Sequence, residues 1–222
     1  MTEAEALRTR GFCRFAGAVA EELDGLAALL SAHDAAGAGQ RLAEEPALAE
    51  WLAASLQFVL TTLSIPASRP VRAILFDKSP EANWSLGWHQ DRTICVRERH
   101  ETPGFGPWTV KQGLIHVEPP FSYIEKMVTL RIHLDAVDSL NAPLLVAEGS
   151  HDRGRVAAER IDTIARACPQ TACLANPGDV WAYCTPILHA SRRSAKPARR
   201  RVLQVDYSAD DLPGGLEWLG VG

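Results

Sequence analysis

The stretch Asn83-Trp-Ser-Leu-Gly-Trp-His-Gln-Asp-Arg-Thr-Ile-Cys-Val96 contains the most informative pair of residues in this chain, His89 and Asp91. Apolar, aromatic and β-branched residues surround the pair, which favours a strand over a helix. Side chains two residues apart on a strand point to the same face. A strand here would therefore let His89 and Asp91 offer one nitrogen and one oxygen to the same point in space.

A third candidate ligand, His189, lies in the later apolar segment Trp181 to Ser191. Taken alone, it is explained by a neutral core histidine bonded to a backbone carbonyl, and an isolated His-x-Asp by a hydrogen-bonded surface pair. Together the three residues form a set of two histidines and one carboxylate. That set suits non-haem Fe(II) and leaves coordination positions open for a substrate and O2.

Composition predicts a soluble globular protein. The chain has 222 residues, of which 46% are hydrophobic and 23% charged, and we expect residues 1–222 to form a single domain. A net charge of −4 gives no reason to expect nucleic acid or a membrane surface as a partner. The N-terminal residues are too acidic for a signal peptide, and no apolar run reaches membrane-spanning length. Five scattered cysteines, with no Cys-x-x-Cys pair, indicate reduced thiols and a cytoplasmic location.

The first third of the sequence is helical in character. Leucines at helical spacing predict a helix from Ala18 to His33, and a second is expected from Pro46 or earlier to about Leu63. We therefore predict that residues of about 1–66 form a helical support for the rest of the chain.

From Val71 onward, short apolar segments alternate with turn residues, which indicates a β-sandwich or barrel over about 71–207. One helix is expected between them, from about Ala157 to Ala167. The predicted strand segments are Val71 to Phe76, Trp84 to Val96, Met127 to Val137, Leu144 to Ala147, Val180 to Tyr183, Ile187 to Ala190 and Val202 to Tyr207.

The stretch Arg97 to Tyr123 contains glycines, prolines and Trp108, and we expect it to be a long loop. Long loops inside compact domains are more often functional than idle. The sequence therefore predicts an active-site lid here.

Three arginines, Arg199, Arg200 and Arg201, lead directly into the last predicted strand. Alternation sends at least one of them to a face that is otherwise buried, where a guanidinium requires an anion and matches a carboxylate with two hydrogen bonds. Periodicity alone selects Arg201, because Arg201, Leu203, Val205 and Tyr207 form the more apolar face.

An ordered set of short motifs resembles the phytanoyl-CoA dioxygenase family of Fe(II)- and 2-oxoglutarate-dependent oxygenases, over about Val71 to Tyr207. The motifs are Phe76-Asp-Lys-Ser-Pro80, Trp88-His-Gln-Asp91, Leu130-Arg-Ile-His-Leu-Asp135, Asn141-Ala-Pro-Leu144, Gly149-Ser-His151, Gly178-Asp179, His189-Ala-Ser191 and Arg199-Arg-Arg-Val-Leu203.

This resemblance implies an α+β fold, in which N-terminal helices brace a double-stranded β-helix, a jelly-roll or cupin-like barrel. It implies that His89, Asp91 and His189 bind Fe(II) as the catalytic centre, and that 2-oxoglutarate is the co-substrate. Arg200, eleven residues after the distal histidine, and Ser191 would hold the far carboxylate of 2-oxoglutarate, with Arg199 and Arg201 as alternatives to Arg200.

The implied reaction is hydroxylation of an unactivated C–H bond in a small molecule, using O2 and releasing succinate and CO2. The presence of Asp91 favours hydroxylation over halogenation, because related halogenating enzymes lack that carboxylate. Arg131 is expected to add a second charge near the co-substrate, although the family often has an aromatic residue there; the alternative is an ion pair with Asp135 or another acid. The residues expected to contact the substrate are Lys78, Trp88, Trp108 and His116.

Two other functions remain open from the sequence. The same three ligands could hold another divalent metal for non-oxidative chemistry, because metal affinity alone does not select iron. Alternatively, the chain could be a metal-free jelly-roll protein that acts as a binding module or scaffold.

Overall fold

The computed structural model describes residues 1–33, 37–80, 82–196 and 198–222, and these residues form antiparallel sheets flanked by helices. The helices are α1 Glu3–Arg10, α2 Leu23–Leu30, α3 Pro46–Thr62, α4 Phe121–Glu125 and α5 Ile161–Ala167. The strands are β1 Phe12–Phe15, β2 Gly37–Leu42, β3 Arg69–Lys78, β4 Leu86–His89, β5 Ile94–Val96, β6 Trp108–Lys111, β7 Leu114–Val117, β8 Val128–His133, β9 Leu144–Ala147, β10 Gln170–Cys173, β11 Val180–Cys184, β12 His189–Ser191 and β13 Arg200–Ser208.

Two of the sheets pack against each other. The larger has the strand order β1-β11-β8-β13-β3-β2 and the smaller β10-β9-β12-β4, with antiparallel pairing throughout. Apolar side chains of both sheets meet in one cluster, in which Trp181 and Tyr183 of β11 join Leu144 and Val146 of β9. The strands of the smaller sheet therefore lie over the inner face of the larger one.

The outer face of the larger sheet is covered by α2 and α3. Leu52, Leu56 and Val59 of α3 are buried in the same cluster as Leu203 and Val205 of β13. The i, i+4, i+7 spacing of the α3 residues puts them on one face of the helix, as the sequence predicts. The bounds of α3 confirm the second predicted helix.

The N-terminal region contributes strands as well as helices. β1 and β2 form the two edges of the six-stranded sheet, so the region predicted as a helical support contributes strands in addition to α1, α2 and α3. The first predicted helix begins at Leu23 instead of Ala18. The buried Asp179 carboxylate accepts a hydrogen bond from the Gly17 backbone N–H at 2.7 Å. This contact holds the residues before Leu23 in a turn.

The predicted lid also has a different structure. Residues of the stretch 97–123 form the hairpin β6–β7, and β5 completes a three-stranded sheet with it. The turn residues Gln112 and Gly113 both have positive φ, 52° and 79°, as a two-residue hairpin turn requires. Ile94 of β5 and Val117 of β7 are buried in an apolar cluster, so the stretch is a packed element and not an open loop.

No helix among the described residues is long and apolar enough to cross a membrane.

Candidate functional site

A cavity of about 240 Å³ lies between the larger sheet and the smaller one. One side of the cavity is lined by inward-facing residues of β2, β3, β8 and β13 in the larger sheet. The opposite side is lined by residues of β4 and β12 in the smaller sheet. On β3 the inward side chains alternate regularly, because every second residue of a strand points to the same face. They are Arg72, Ile74, Phe76 and Lys78.

His89, Asp91 and His189 converge on the wall of this cavity. One nitrogen of each histidine and one oxygen of Asp91 all lie within 4.8 Å of one another. The two histidines are register partners on β4 and β12, and their ring centroids are 4.1 Å apart. A cluster of this composition and size has the donor atoms to bind one divalent metal ion.

Strand alternation does not explain how Asp91 joins the histidines. β4 ends at His89, so the prediction of one strand through both residues is wrong. The buried Gln90 side chain donates to the carbonyl oxygens of Gly154 and Pro186, at 3.0 and 2.8 Å, and accepts from the Val156 N–H at 2.9 Å. These three hydrogen bonds hold the chain where it leaves the sheet and direct Asp91 toward the histidines.

The histidine tautomers follow from their hydrogen bonds. His89 Nδ1 lies 2.8 Å from the Gly87 carbonyl oxygen, and His189 Nδ1 lies 3.0 Å from that of Ile187. A carbonyl oxygen only accepts, so Nδ1 carries the proton in both rings. In the neutral form, each imidazole therefore keeps the lone pair of Nε2 for a metal ion, with its ring orientation fixed by the backbone.

Electrostatics also favour the metal-binding protonation states. Burial and the neighbouring His89 lower the pKa of His189 to about 4, so His189 is neutral near pH 7. Burial opposes the charged form of Asp91, but the nearby Arg72 guanidinium outweighs it, so the pKa of that carboxyl is lowered. The trio thus includes a neutral imidazole at His189 and a carboxylate at Asp91.

Asp91 is held by a buried polar network. Arg72 lies between two carboxylates, with Nη2 2.6 Å from Asp206 and 3.4 Å from Asp91. Gln204 donates to Asp91 at 3.4 Å and accepts from Arg131 at 2.6 Å. These partners orient the carboxylate in the way that outer-shell residues orient metal ligands.

Arg200 enters the cavity at the end where β13 begins. Its side chain is buried, Nη1 donates to the Ala142 carbonyl oxygen, and Nε has no hydrogen-bond partner among the described residues. Burial, with Arg131 nearby, lowers the pKa of Arg200 to about 9. A buried guanidinium that has an unused donor, and no ion pair with an acid among the described residues, can bind an anion.

Arg201 and Arg199 point elsewhere. Arg201 pairs with Asp135 at 2.9 Å and Arg199 with Asp77 at 3.0 Å, and both are more exposed than Arg200. Periodicity does place Arg201 on the side of β13 that faces the helices, together with Leu203 and Val205. At the start of β13 that side is partly exposed to solvent, so Arg201 is not buried. Asp135 is therefore paired with Arg201 and not with Arg131, which was the alternative for Arg131. Arg131 instead donates to Gln204 and stacks on Phe76 at 5.2 Å.

Lys78 and Ser191 lie beside Arg200. Lys78 is the register partner of Arg200 on β3, and its Nζ donates to Ser191 Oγ at 3.0 Å and to the Trp84 carbonyl oxygen at 2.8 Å. Burial, Arg200 and Arg131 lower the pKa of Lys78 to about 8. Lys78, predicted from the sequence as a substrate contact, therefore belongs to the same cationic group as Arg200.

Three other predicted substrate contacts do not line the cavity, and these predictions are corrected. Trp88 points to the opposite face of β4 from His89 and packs near Val156 and Leu188. Trp108 lies on the β6–β7 hairpin, where Arg99 stacks on its ring at 5.3 Å. His116 is fully buried beneath Arg41. Strand alternation and the packed hairpin explain all three positions.

The predicted site residues do not include Arg41, Arg72, Lys111 and Gln204, which also line the cavity. Arg72 and Gln204 are polar residues within apolar strand segments, and that pattern could have indicated buried polar side chains at a site. Arg41 and Lys111 lie on elements that the sequence did not predict, so it gave no reason to place them together.

No protein-family model and no curated protein matches this sequence. Solved structures do match it. SnoK, a non-haem α-ketoglutarate-dependent carbocyclase from nogalamycin biosynthesis, aligns with a TM-score of 0.64 and 15% identity, covering 94% of this chain and 83% of SnoK. HygX from Streptomyces hygroscopicus, solved with nickel and 2-oxoglutarate bound, aligns with a TM-score of 0.61 and 16% identity, covering 93% of this chain and 85% of HygX. The epimerase SnoN aligns with a TM-score of 0.64 and 16% identity, covering 96% of this chain and 89% of SnoN. The chain therefore shares the fold of these proteins.

Proposed function

We propose that this protein is an Fe(II)- and 2-oxoglutarate-dependent oxygenase that hydroxylates an unactivated C–H bond of a small molecule. The observation that carries the proposal is the pairing of two features in one cavity. His89, Asp91 and His189 converge with free Nε2 lone pairs, and Arg200 is buried nearby with an unpartnered donor. The fold shared with SnoK and HygX supports it, because HygX was solved with iron and with nickel and 2-oxoglutarate bound.

In this proposal His89, Asp91 and His189 hold Fe(II), and the double-stranded β-helix is the scaffold of a phytanoyl-CoA dioxygenase family member. Fe(II) with 2-oxoglutarate supplies the oxidising power for hydroxylation, because oxidation of 2-oxoglutarate to succinate and CO2 activates O2. We place the reaction in the cytoplasm, where the five free cysteines stay reduced.

The side chains around Arg200 orient the co-substrate. Arg200 offers Nε to a carboxylate, and Lys78 adds a second charge through an amine already directed at Ser191 Oγ. Charge-assisted hydrogen bonds to a fixed carboxylate determine both affinity and orientation. Arg131 adds positive charge to the same end of the cavity while it bonds Gln204.

Apolar side chains form part of the cavity lining. Ile74 and Phe76 of β3 and Leu144 of β9 line the cavity between the metal ligands and the basic residues. Exclusion of water strengthens each charge interaction inside and protects reactive species from side reactions. The chain therefore supplies position, charge and an apolar surface for the chemistry.

The direct test is succinate formation by purified protein with Fe(II), 2-oxoglutarate and O2. We expect slow succinate formation even without substrate, and its loss in His189→Ala but not in His100→Ala, which changes an exposed histidine. No succinate and no 2-oxoglutarate binding would contradict the proposal. A metal-free binding module predicts instead that His89→Ala and Asp91→Ala leave the content of bound metal unchanged.

A further inference from the structure

The cationic side chains of the cavity form two separate groups. Arg200, Lys78 and Arg131 influence one another, since the pKa of Lys78 is lowered by burial and then by Arg200 and Arg131. In the second group, burial, then Arg41 and Arg72, lower the pKa of Lys111. Arg41 lies beside Ile74 in the sheet, four residues along β3 from Lys78, which is about 13 Å of strand. A five-carbon dicarboxylate held at Arg200 is shorter than that separation.

Arg41 is aimed into the cavity by a buried histidine. Its Nε donates to His116 Nε2 at 3.2 Å, and His116 Nδ1 donates in turn to the Leu114 carbonyl oxygen at 3.0 Å. The buried His116 ring therefore acts as a neutral acceptor. This arrangement uses Nε of Arg41, and its terminal nitrogens remain for a ligand in the cavity that Arg41 lines.

Lys111 is brought to Arg41 by the turn of the β6–β7 hairpin. The Gln112 side chain accepts from the Arg41 backbone N–H at 3.0 Å and donates to the Gly39 carbonyl oxygen at 2.8 Å. The Gln112 amide thus bonds the free backbone edge of β2 as a neighbouring strand would. These bonds hold the adjacent Lys111 at the cavity. Arg41 and Lys111 form no ion pair with a carboxylate anywhere in the described part of the chain.

The charges in the cavity do not balance without a further anion. Among the described residues its lining contains six cationic side chains and one carboxylate, Asp91, and Asp206 behind Arg72 adds a second negative charge. Four positive charges remain. Fe(II) and 2-oxoglutarate carry equal and opposite charges, so their binding leaves this excess unchanged. Arg200 and Lys78 serve the co-substrate, which leaves Arg41 and Lys111 for another ligand.

We propose that Arg41 and Lys111 form a second anion-binding subsite, which receives a carboxylate or phosphate group of the substrate. This inference rests on the proposed function, because it assumes that the cavity receives a substrate. It defines the substrate class as anionic small molecules. His116 and Gln112 are positioning residues for this subsite.

The test is calorimetric titration of two small anions, methylphosphonate and acetate, into full-length protein loaded with nickel(II) and saturated with 2-oxoglutarate. Nickel keeps the protein from turning over, and 2-oxoglutarate occupies the Arg200 end. We expect binding of at least one anion, weakened about tenfold by Arg41→Gln and by Lys111→Gln, as the loss of one charge-assisted hydrogen bond predicts. The stronger binder identifies phosphate or carboxylate as the preferred group.

Two controls make the result decisive. Arg166→Gln removes one charge from the exposed face of α5 and should bind the anions as the unchanged protein does. Acetamide, the neutral counterpart of acetate, should not bind. The inference is overturned if neither variant weakens binding, if Arg166→Gln weakens it equally, or if no anion binds. The same titration without nickel and 2-oxoglutarate separates the two proposals, because anion binding that depends on Arg41 would persist there even if the oxygenase assignment failed.

Discussion

His89 and His189 face each other across β4 and β12 as register partners, with ring centroids 4.1 Å apart and both Nδ1 atoms bonded to backbone carbonyls two residues earlier in the chain. The carbonyls of Gly87 and Ile187 thereby determine which nitrogen of each ring is free. Because both contacts use the backbone, the orientation of the rings depends on the pairing of the two strands. The metal site proposed here is therefore a property of the sheet as much as of the three side chains.

Removing one ligand should release the metal. We expect His89→Ala and His189→Ala each to lower the affinity for Fe(II) or nickel(II) by at least a hundredfold, since loss of an outer-shell partner alone costs 10- to 100-fold. Metal content after dialysis, measured by elemental analysis, checks this. His100→Ala is the control. Retention of stoichiometric metal in both ligand variants would rule out the proposed centre.

Among the three arginines before β13, only the loss of Arg200 should weaken 2-oxoglutarate binding strongly. Arg200→Gln removes a buried cation with an unused donor, and we expect a loss of about 10- to 100-fold in affinity. Arg201→Gln breaks a partly exposed pair with Asp135 and should change the affinity less than about threefold. The dissociation constant of 2-oxoglutarate for nickel-loaded protein distinguishes the two. A larger effect of Arg201→Gln would reverse the assignment.

Affinity for 2-oxoglutarate should fall as the pH rises through about 8. Burial, Arg200 and Arg131 lower the pKa of Lys78 to about 8, so the amine is charged below that pH and neutral above it. Only the charged form attracts a carboxylate. Binding measured from pH 7 to 8.5, below the pKa of about 9 of Arg200, should weaken in the unchanged protein, and Lys78→Met should flatten the profile over that range. An identical pH profile in Lys78→Met would show that another group titrates.

Acid should destabilise the protein partly through His116. Burial lowers the pKa of His116 to about 4, whereas an unfolded histidine titrates near 6.5. Between these values the unfolded chain binds more protons than the folded one, so the stability contributed by neutral His116 is complete above about pH 6.5 and is lost as the pH falls toward 4. The maximum loss is about 3 kcal/mol.

Urea unfolding at pH 7.5 and pH 4.5 measures this contribution. The free energy of unfolding should fall less between these pH values in His116→Gln than in the unchanged protein. Contributions of other groups, including His189, cancel in that comparison. An equal fall in both proteins would exclude His116 as a source of acid sensitivity.

The sequence by itself determined the elements with strong periodicity and the identity of the candidate site. Short apolar segments between turn residues located β3, β8, β11 and β13, and helical spacing located α3. The ordered motifs indicated His89, Asp91, His189 and Arg200 before their positions were known. The strands and the helix could be located because burial on one face of an element leaves a regular pattern in the chain.

The tertiary structure decided which faces meet. Alternation separates Arg200 from Arg201 but does not say that the smaller sheet and a cavity lie over one face of β13, with solvent beside Arg201 on the other. The convergence of Asp91 depends on contacts of Gln90 with residues more than 60 positions away. Likewise, Arg41 and Lys111 meet only because the β6–β7 hairpin packs against the edge strand β2. Contacts between distant segments leave no local pattern, so only the folded chain reveals them.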